Sequence, residues 1–162
     1  MGSDDLPVEF EADAAYVLNG EHVCHECGAV TQVFGLMLVG PFRGQTAALG
    51  PEDDDAAPLL RRATEIPNAL AALITERSLG HFRIDFSNTL GERYWMNHCE
   101  ACDAKIGDWF VHKPGGAFFP TNDAEIAKVS GVHVQGPWVF QDPDFSVSSW
   151  TTAWVQRKGK ES

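Results

Sequence analysis

The sequence predicts an α+β fold in which antiparallel strands are organised around a split four-cysteine ribbon, with a helical insertion between its halves. Three observations predict it. All four cysteines fall into two C-x-x-C pairs, Cys24 with Cys27 and Cys99 with Cys102. Alternating or β-branched runs, separated by Gly, Pro and Asn, flank both pairs. One stretch between the pairs carries the 3.6-residue apolar period of a helix.

Residues 8–12 alternate apolar and acidic, as an edge strand would. Residues 16–18 and 21–24 flank Asn19-Gly20, a dipeptide that favours a type I′ turn, and so predict a hairpin leading into the first pair. Residues 31–39 form an apolar, β-branched strand that ends at Gly40-Pro41. Residues 44–58 are small, acidic and punctuated, as in a loop. Residues 58–66 read as a short helix. Pro67 opens a longer one that runs to Leu79, where Gly80 stops it, with Leu70, Leu73 and Ile74 on the core face. Residues 82–86 alternate as a half-buried strand. A turn over 88–92 precedes strand-like segments that enter the second pair (93–97) and leave it (109–112). Pro114-Gly115-Gly116 turns, and Thr121-Asn122-Asp123 caps a short helix that reaches Val129. Residues 132–135, 138–140 and 145–154 predict further strands. The expected organisation is one domain over 1–162, with an acidic loop plus helical insertion over 43–80 and a polar, frayed tail over 156–162.

The spacing of the cysteines points to a metal. A two-residue gap lets both thiolates of a knuckle face one concavity, and two knuckles complete the closed tetrahedron of structural Zn2+. Gly28 follows the first pair and Asp103 the second, at the position where the turn commonly needs positive φ. The predicted ligands of one zinc ion are therefore Cys24, Cys27, Cys99 and Cys102. Two disulfides, a redox C-x-x-C site, or replacement of one ligand by His22, His25 or His98 are the competing readings. About seventy residues separate the pairs, far more than the roughly 12 to 20 of compact fingers, so the intervening chain must form structure of its own.

The charge balance is acidic: 12 Lys and Arg against 23 Asp and Glu leave a net −11. Proteins that grip phosphates carry the opposite sign, so direct nucleic-acid binding is not expected. The acidic residues fall in two blocks, one at Asp4, Asp5, Glu9, Glu11 and Asp13, the other at Glu52, Asp53, Asp54 and Asp55. They are read as solvated loops, with an acidic surface that mimics nucleic acid or inhibits a basic partner as the alternative. No apolar run is long enough to cross a bilayer and the N-terminus has no signal pattern, so a cytoplasmic protein is expected.

The residues around the pairs are Cys24-x-x-Cys27-Gly28-x-x-Thr31-x-Val33 and Asn97-His98-Cys99-x-x-Cys102-x-Ala104-x-x-Gly107-Asp108-Trp109-Phe110-x-His112. With the following Pro114-Gly115-Gly116-Ala117-Phe118-Phe119-Pro120, they resemble a loosely defined set of uncharacterised bacterial zinc-ribbon-like proteins. The resemblance covers about a third of the chain. It implies a zinc-binding fold and the four cysteine ligands, with no activity attached.

Four thiolates fill a zinc shell and leave no position for an activated water, which argues against catalysis at the metal. Asp108 and His112 beside the second pair are the remaining candidates for a small enzyme site, with His133 and Asp85 behind them. No G-x-S-x-G, H-E-x-x-H, Walker or G-x-G-x-x-G motif accompanies them. Trp138, Phe140, Trp150 and Trp154 lack an interleaved basic stripe, which favours packing over base stacking. The reading left is a structural-zinc protein that serves as a protein-interaction or scaffolding module. Trp138, placed after Gly136-Pro137, is its first candidate anchor.

Overall fold

The computed structural model describes residues 9–44, 56–113, 115–141 and 143–161. Its elements are antiparallel strands with helices outside them, the α+β class expected. Strand β1 (Glu9–Val23) pairs with β2 (Val30–Arg43) on one side and β7 (Ser130–Gln141) on the other. The short strands β3 (Leu59–Leu60) and β8 (Phe145–Ser146) complete a five-stranded sheet in the order β7-β1-β2-β3-β8. A second sheet has the order β4-β5-β6, from β4 (Phe82–Ser87), β5 (Glu92–His98) and β6 (Lys105–Ile106).

The large sheet is covered on both faces, which explains why β2 reads as a nearly unbroken apolar run. Alternate β2 residues point into different cores. Phe34, Leu36 and Leu38 join Phe10, Val17, Phe140 and Phe82 in one, together with Leu70 and Ile74 of helix α1 (Asn68–Ser78). Val33 and Met37 join the other, which holds Ile106, Val111 of α2 (Asp108–His112), Ile126 of α3 (Asp123–Ala127), and Trp150 and Trp154 of α4 (Ser149–Glu161). A register shift in β1 between Ala12 and Ala14 reverses which face its residues address.

Several local expectations meet a different outcome. Asn19-Gly20 does not turn; it lies inside β1, where Asn19 pairs with Phe34 and Gly20 with Val33. The physical reason is packing: a Cβ on Gly20 would stand 3.1 Å from the Ala117 Cβ, and one on Gly35 would stand 3.2 Å from the Phe118 ring. The two glycines let the segment after α2 lie against the sheet. The hairpin is closed instead by the first cysteine knuckle.

Residues 58–66 are not helical. Pro58 O accepts from Leu38 N (2.8 Å), Leu59 pairs with Met37 and Ser146, and Arg62 sits at φ +46. Two leucines that fill both cores as a sheet strand cannot also share a helical stripe. The helical content between the knuckles is therefore α1, which starts after Pro67 and ends with Leu79 at φ 54 and the Gly80 amide on Thr75 O (3.0 Å), a left-handed stop of the predicted kind.

Residues 109–112 lie in a helix, not a strand. Residues 145–154 divide into β8 and the start of α4, where Trp150 and Trp154 sit one turn apart and the Trp154 indole N–H donates to Val129 O (2.8 Å). Backbone helix also runs through the tail to Glu161. Gly136-Pro137 lies within β7. Trp138 beyond it is half-buried against the first core, its indole N–H donating to Val134 O (3.0 Å), so folding uses it as packing. Among the described residues no helix is long and apolar enough to cross a membrane.

Candidate metal centre

Two hairpins carry the cysteines, and they are built alike. In the first, β1 and β2 pair out to Val23 and Val30, and Cys24 to Ala29 cross between them. In the second, β5 and β6 pair out to His98 and Lys105, and Cys99 to Ala104 cross. Cys24 N donates to Ala29 O (2.9 Å) and Gly28 N to Cys24 O (2.9 Å); Cys99 N donates to Ala104 O (2.9 Å) and Asp103 N to Cys99 O (2.8 Å). The amides of Glu26 and Ala101 each face the first sulfur of their own knuckle at 3.4 Å. Gly28 (φ 75) and Asp103 (φ 65) occupy the left-handed turn position read from the sequence. Gly pays no Cβ penalty there and Asp tolerates it better than most residues.

The hairpins meet so that all four sulfurs lie within 4.8 Å of one another. Cys24 Sγ to Cys102 Sγ and Cys27 Sγ to Cys99 Sγ are each 3.7 Å. A tetrahedron built on Zn–S bonds of about 2.3 Å has edges of about 3.8 Å. A disulfide would need a separation of about 2.0 Å, and all four cysteines are free. The four cysteines are thus placed to coordinate one metal ion. The first cysteine of each knuckle is buried in the second core and the second faces solvent.

Thiols this close ionise unequally on their own. Cys99 is lowered to about 7, chiefly by the Cys102 amide and then by that of Ala101, with burial opposing. At Cys102 the Ala104 amide pulls down, but burial and hydrogen bonds with the other three thiols push the group up to about 12. A divalent cation reverses this opposition, because each thiolate it binds neutralises part of its charge.

The sulfur cluster contains none of the flanking histidines. His25 stacks on Phe110, with ring centroids 4.5 Å apart and planes at 5°. His22 turns edge-on toward the same ring at 6.1 Å. His98 is buried between two acceptors, Asp85 Oδ2 at 2.8 Å from Nε2 and His81 O at 3.2 Å from Nδ1.

The His98 hydrogen bond, more than the Phe86 amide or the Lys105 ammonium, holds the Asp85 carboxyl down at about 2 against burial. A carboxyl depressed below its ordinary value near 4 stabilises the fold fully above that value and loses the contribution as pH falls toward 2. Between pH 4 and 2 the urea midpoint of Asp85→Asn is therefore expected to fall less steeply than that of the wild type. Acid strips the metal from both proteins, so the difference between the two curves isolates Asp85, and parallel curves would remove this role.

The sequence alone does not reveal what clasps the hairpins together apart from a metal. Phe34 N donates to Asn97 Oδ1 (2.7 Å) and Asn97 Nδ2 donates to Phe34 O (3.0 Å), so one buried side chain mimics a strand on β2. Nearer the knuckles, Gln32 N donates to Glu100 Oε1 (2.9 Å) and Glu100 N donates to Thr31 Oγ1 (3.0 Å). The only trace of this in the sequence is polar residues at strand positions beside the cysteines.

Asp108 and His112, the enzyme candidates, stand one turn apart on α2. Asp108 is buried, its carboxylate accepts the Arg62 amide, and burial raises it to about 6. Burial, helped by the charge of Arg61, lowers His112 to about 4. Such opposed shifts mark candidate acid–base groups. The space they share with Arg62 is only about 10 Å³, at the lower limit for one water and too small for a substrate. His133 lies elsewhere, exposed and edge-on to Tyr16 at 5.3 Å. Of the aromatic set, Phe140, Trp150 and Trp154 are buried, whereas Trp109 is 66% exposed.

Of the acidic blocks, Asp4, Asp5 and 52–55 lie outside the described residues. On β1, Glu11 pairs with Arg43, and Glu9 and Asp13 accept from Gln141 and Gln135. No protein-family model matches the chain, and neither a curated protein nor a solved structure does.

Proposed function

We propose that the protein is a structural-zinc protein acting as an interaction or scaffolding module, with one Zn2+ held by Cys24, Cys27, Cys99 and Cys102. The observation that carries the metal is the sulfur quartet, with two separations of 3.7 Å and all within 4.8 Å. Sulfur donors in tetrahedral array select zinc over the hard cations magnesium and calcium. Four thiolates leave no open position on the ion, so its contribution is to structure: it ties the tip of the β1–β2 hairpin to the tip of the β5–β6 hairpin. That junction supports the scaffold reading, because it keeps Val23 and Val30, both more than 60% exposed, on a rigid rim beside the knuckles. Rigid apolar side chains at a surface lose little entropy when a partner covers them.

Elemental analysis of the purified chain is expected to find one zinc per polypeptide. After exchange with Co2+, the absorption spectrum should be that of a tetrahedral tetrathiolate. Metal-free protein that remains fully folded, or iron in place of zinc, would refute the assignment. For the module, Val23→Ser with Val30→Ser should leave zinc content unchanged and abolish binding of the protein's partner.

A further inference from the structure

A cavity of about 460 Å³ lies where the turn after β4 faces the start of α2. Its volume is within the ~300–1,000 Å³ range of small-molecule sites. Leu90, Tyr94, Trp109 and Phe110 supply the apolar part of the lining, and Arg61 and Thr89 are among the polar groups.

Two features of this cavity are left incomplete by folding. The first is a cation. Arg61 Nε is shut off from solvent and has no hydrogen-bond partner, and the guanidinium makes no ion pair among the described residues. The adjacent arginine differs, since Arg62 is paired with Asp144 at 2.7 Å. A buried donor without an acceptor is costly, and a charged one more so. The carboxylate of Asp108, which also lines the space, accepts the Arg62 amide and feels the Arg61 charge, but no hydrogen bond or ion pair joins it to Arg61 among the described residues.

The second feature is apolar surface. Trp109 is 66% exposed and Leu90 44%, two large side chains left largely open to solvent. Phe110 holds the Trp109 ring edge-on at 5.2 Å, and the Lys113 ammonium stands 4.7 Å over it. The indole is thus oriented before anything binds, and a second cation lies close by in a chain of net charge −11. Small ligands bind where apolar walls surround a few convergent polar groups.

We propose that this cavity binds a small aromatic carboxylate, whose carboxylate is taken by Arg61 and whose ring lies between Trp109 and Leu90. The guanidinium fork matches a carboxylate in shape and charge, which an ammonium would not. The flat ring fits the indole face and removes apolar area from water. None of the four cysteines lines the site, but it adjoins the metal centre: Phe110 stacks on His25 of the first knuckle, and β6 connects the second knuckle to α2 and so sets where Trp109 stands.

The test uses the full chain with its metal content measured in the same sample, and 2-naphthoate as probe against the uncharged 2-naphthamide. Calorimetry should find one saturable site for naphthoate, with the amide at least tenfold weaker. Arg61→Gln should remove that preference, and Trp109→Ala should weaken naphthoate at least fivefold. In the wild-type protein, naphthoate should shift the amide resonances of residues 87–90 and the Trp109 indole N–H, a readout that needs no variant to fold. Absence of saturable binding at millimolar probe, equal affinity for acid and amide, or shifts confined to other surfaces would each overturn the proposal. Such a failure with zinc still bound one to one would leave the metal assignment standing, and loss of zinc with naphthoate binding intact would do the reverse.

Discussion

Cys99→Ser is expected to abolish stoichiometric metal and to lower the Tm by at least about 10 °C. For domains of this size each kcal/mol is worth about 2–4 °C, and metal-linked folding energy amounts to several kcal/mol. Cys99 is the sharpest choice because it is fully buried in the second core and lies 3.7 Å from Cys27. Serine there leaves three thiolates and a poor fourth ligand, with a hydroxyl among apolar neighbours. His25→Ala is the control: His25 stands beside the knuckle but outside the sulfur cluster, so metal content should be unchanged. Calorimetric melting with zinc quantified on the same samples checks both. An unshifted melt with zinc retained in Cys99→Ser would show that the four sulfurs do not form one coordination sphere.

The second large effect is expected at Asn97→Ala, at about 2–5 kcal/mol of stability with zinc retained. The side chain is 1% exposed and supplies both an acceptor and a donor to the Phe34 backbone. Truncation strands two buried backbone groups, each at about 1–3 kcal/mol. Because all four thiolates remain, this variant separates the protein's own clasp from the metal's. Urea unfolding at neutral pH measures it, and a loss below about 1 kcal/mol would mean that water or relaxation replaces the clasp. The two experiments together divide the hairpin junction into its metal and hydrogen-bond parts.

The sulfur cluster was legible because its signal is local chemistry. A two-residue gap followed by Gly28 or Asp103 specifies a knuckle wherever it occurs, and two knuckles with no other cysteine can satisfy a metal only by meeting. Helix α1 was legible for a similar reason: Pro67 starts it, Gly80 stops it, and Leu70 and Ile74 repeat at the helical period. The alternation of Phe82, Ile84 and Phe86 marked β4 as a strand, although only Phe82 enters a core and Ile84 and Phe86 are each 40% exposed.

Elsewhere local preference lost to long-range packing. Asn19-Gly20 carries the strongest hairpin signal in the chain, yet β2 pairs straight through that point, β7 pairs up to Asn19, and Ala117 needs the space that glycine leaves. Thr151, Thr152 and Val155 favour strand by their branched side chains, but Trp150 and Trp154 reach the second core together only from one helical face. Leu59 and Leu60 have helix-forming side chains but serve two cores as a strand.

By itself the sequence determined the α+β class, the cysteine quartet and the best-bounded local elements, since capping, turn geometry and ligand spacing act within a few residues. Only the tertiary structure decided that β1 runs unbroken, that Asn97 and Glu100 clasp the two hairpins, and that Arg61 and Trp109 share a cavity. Those outcomes depend on which distant surfaces exclude water from one another, and no window of neighbouring residues contains that information.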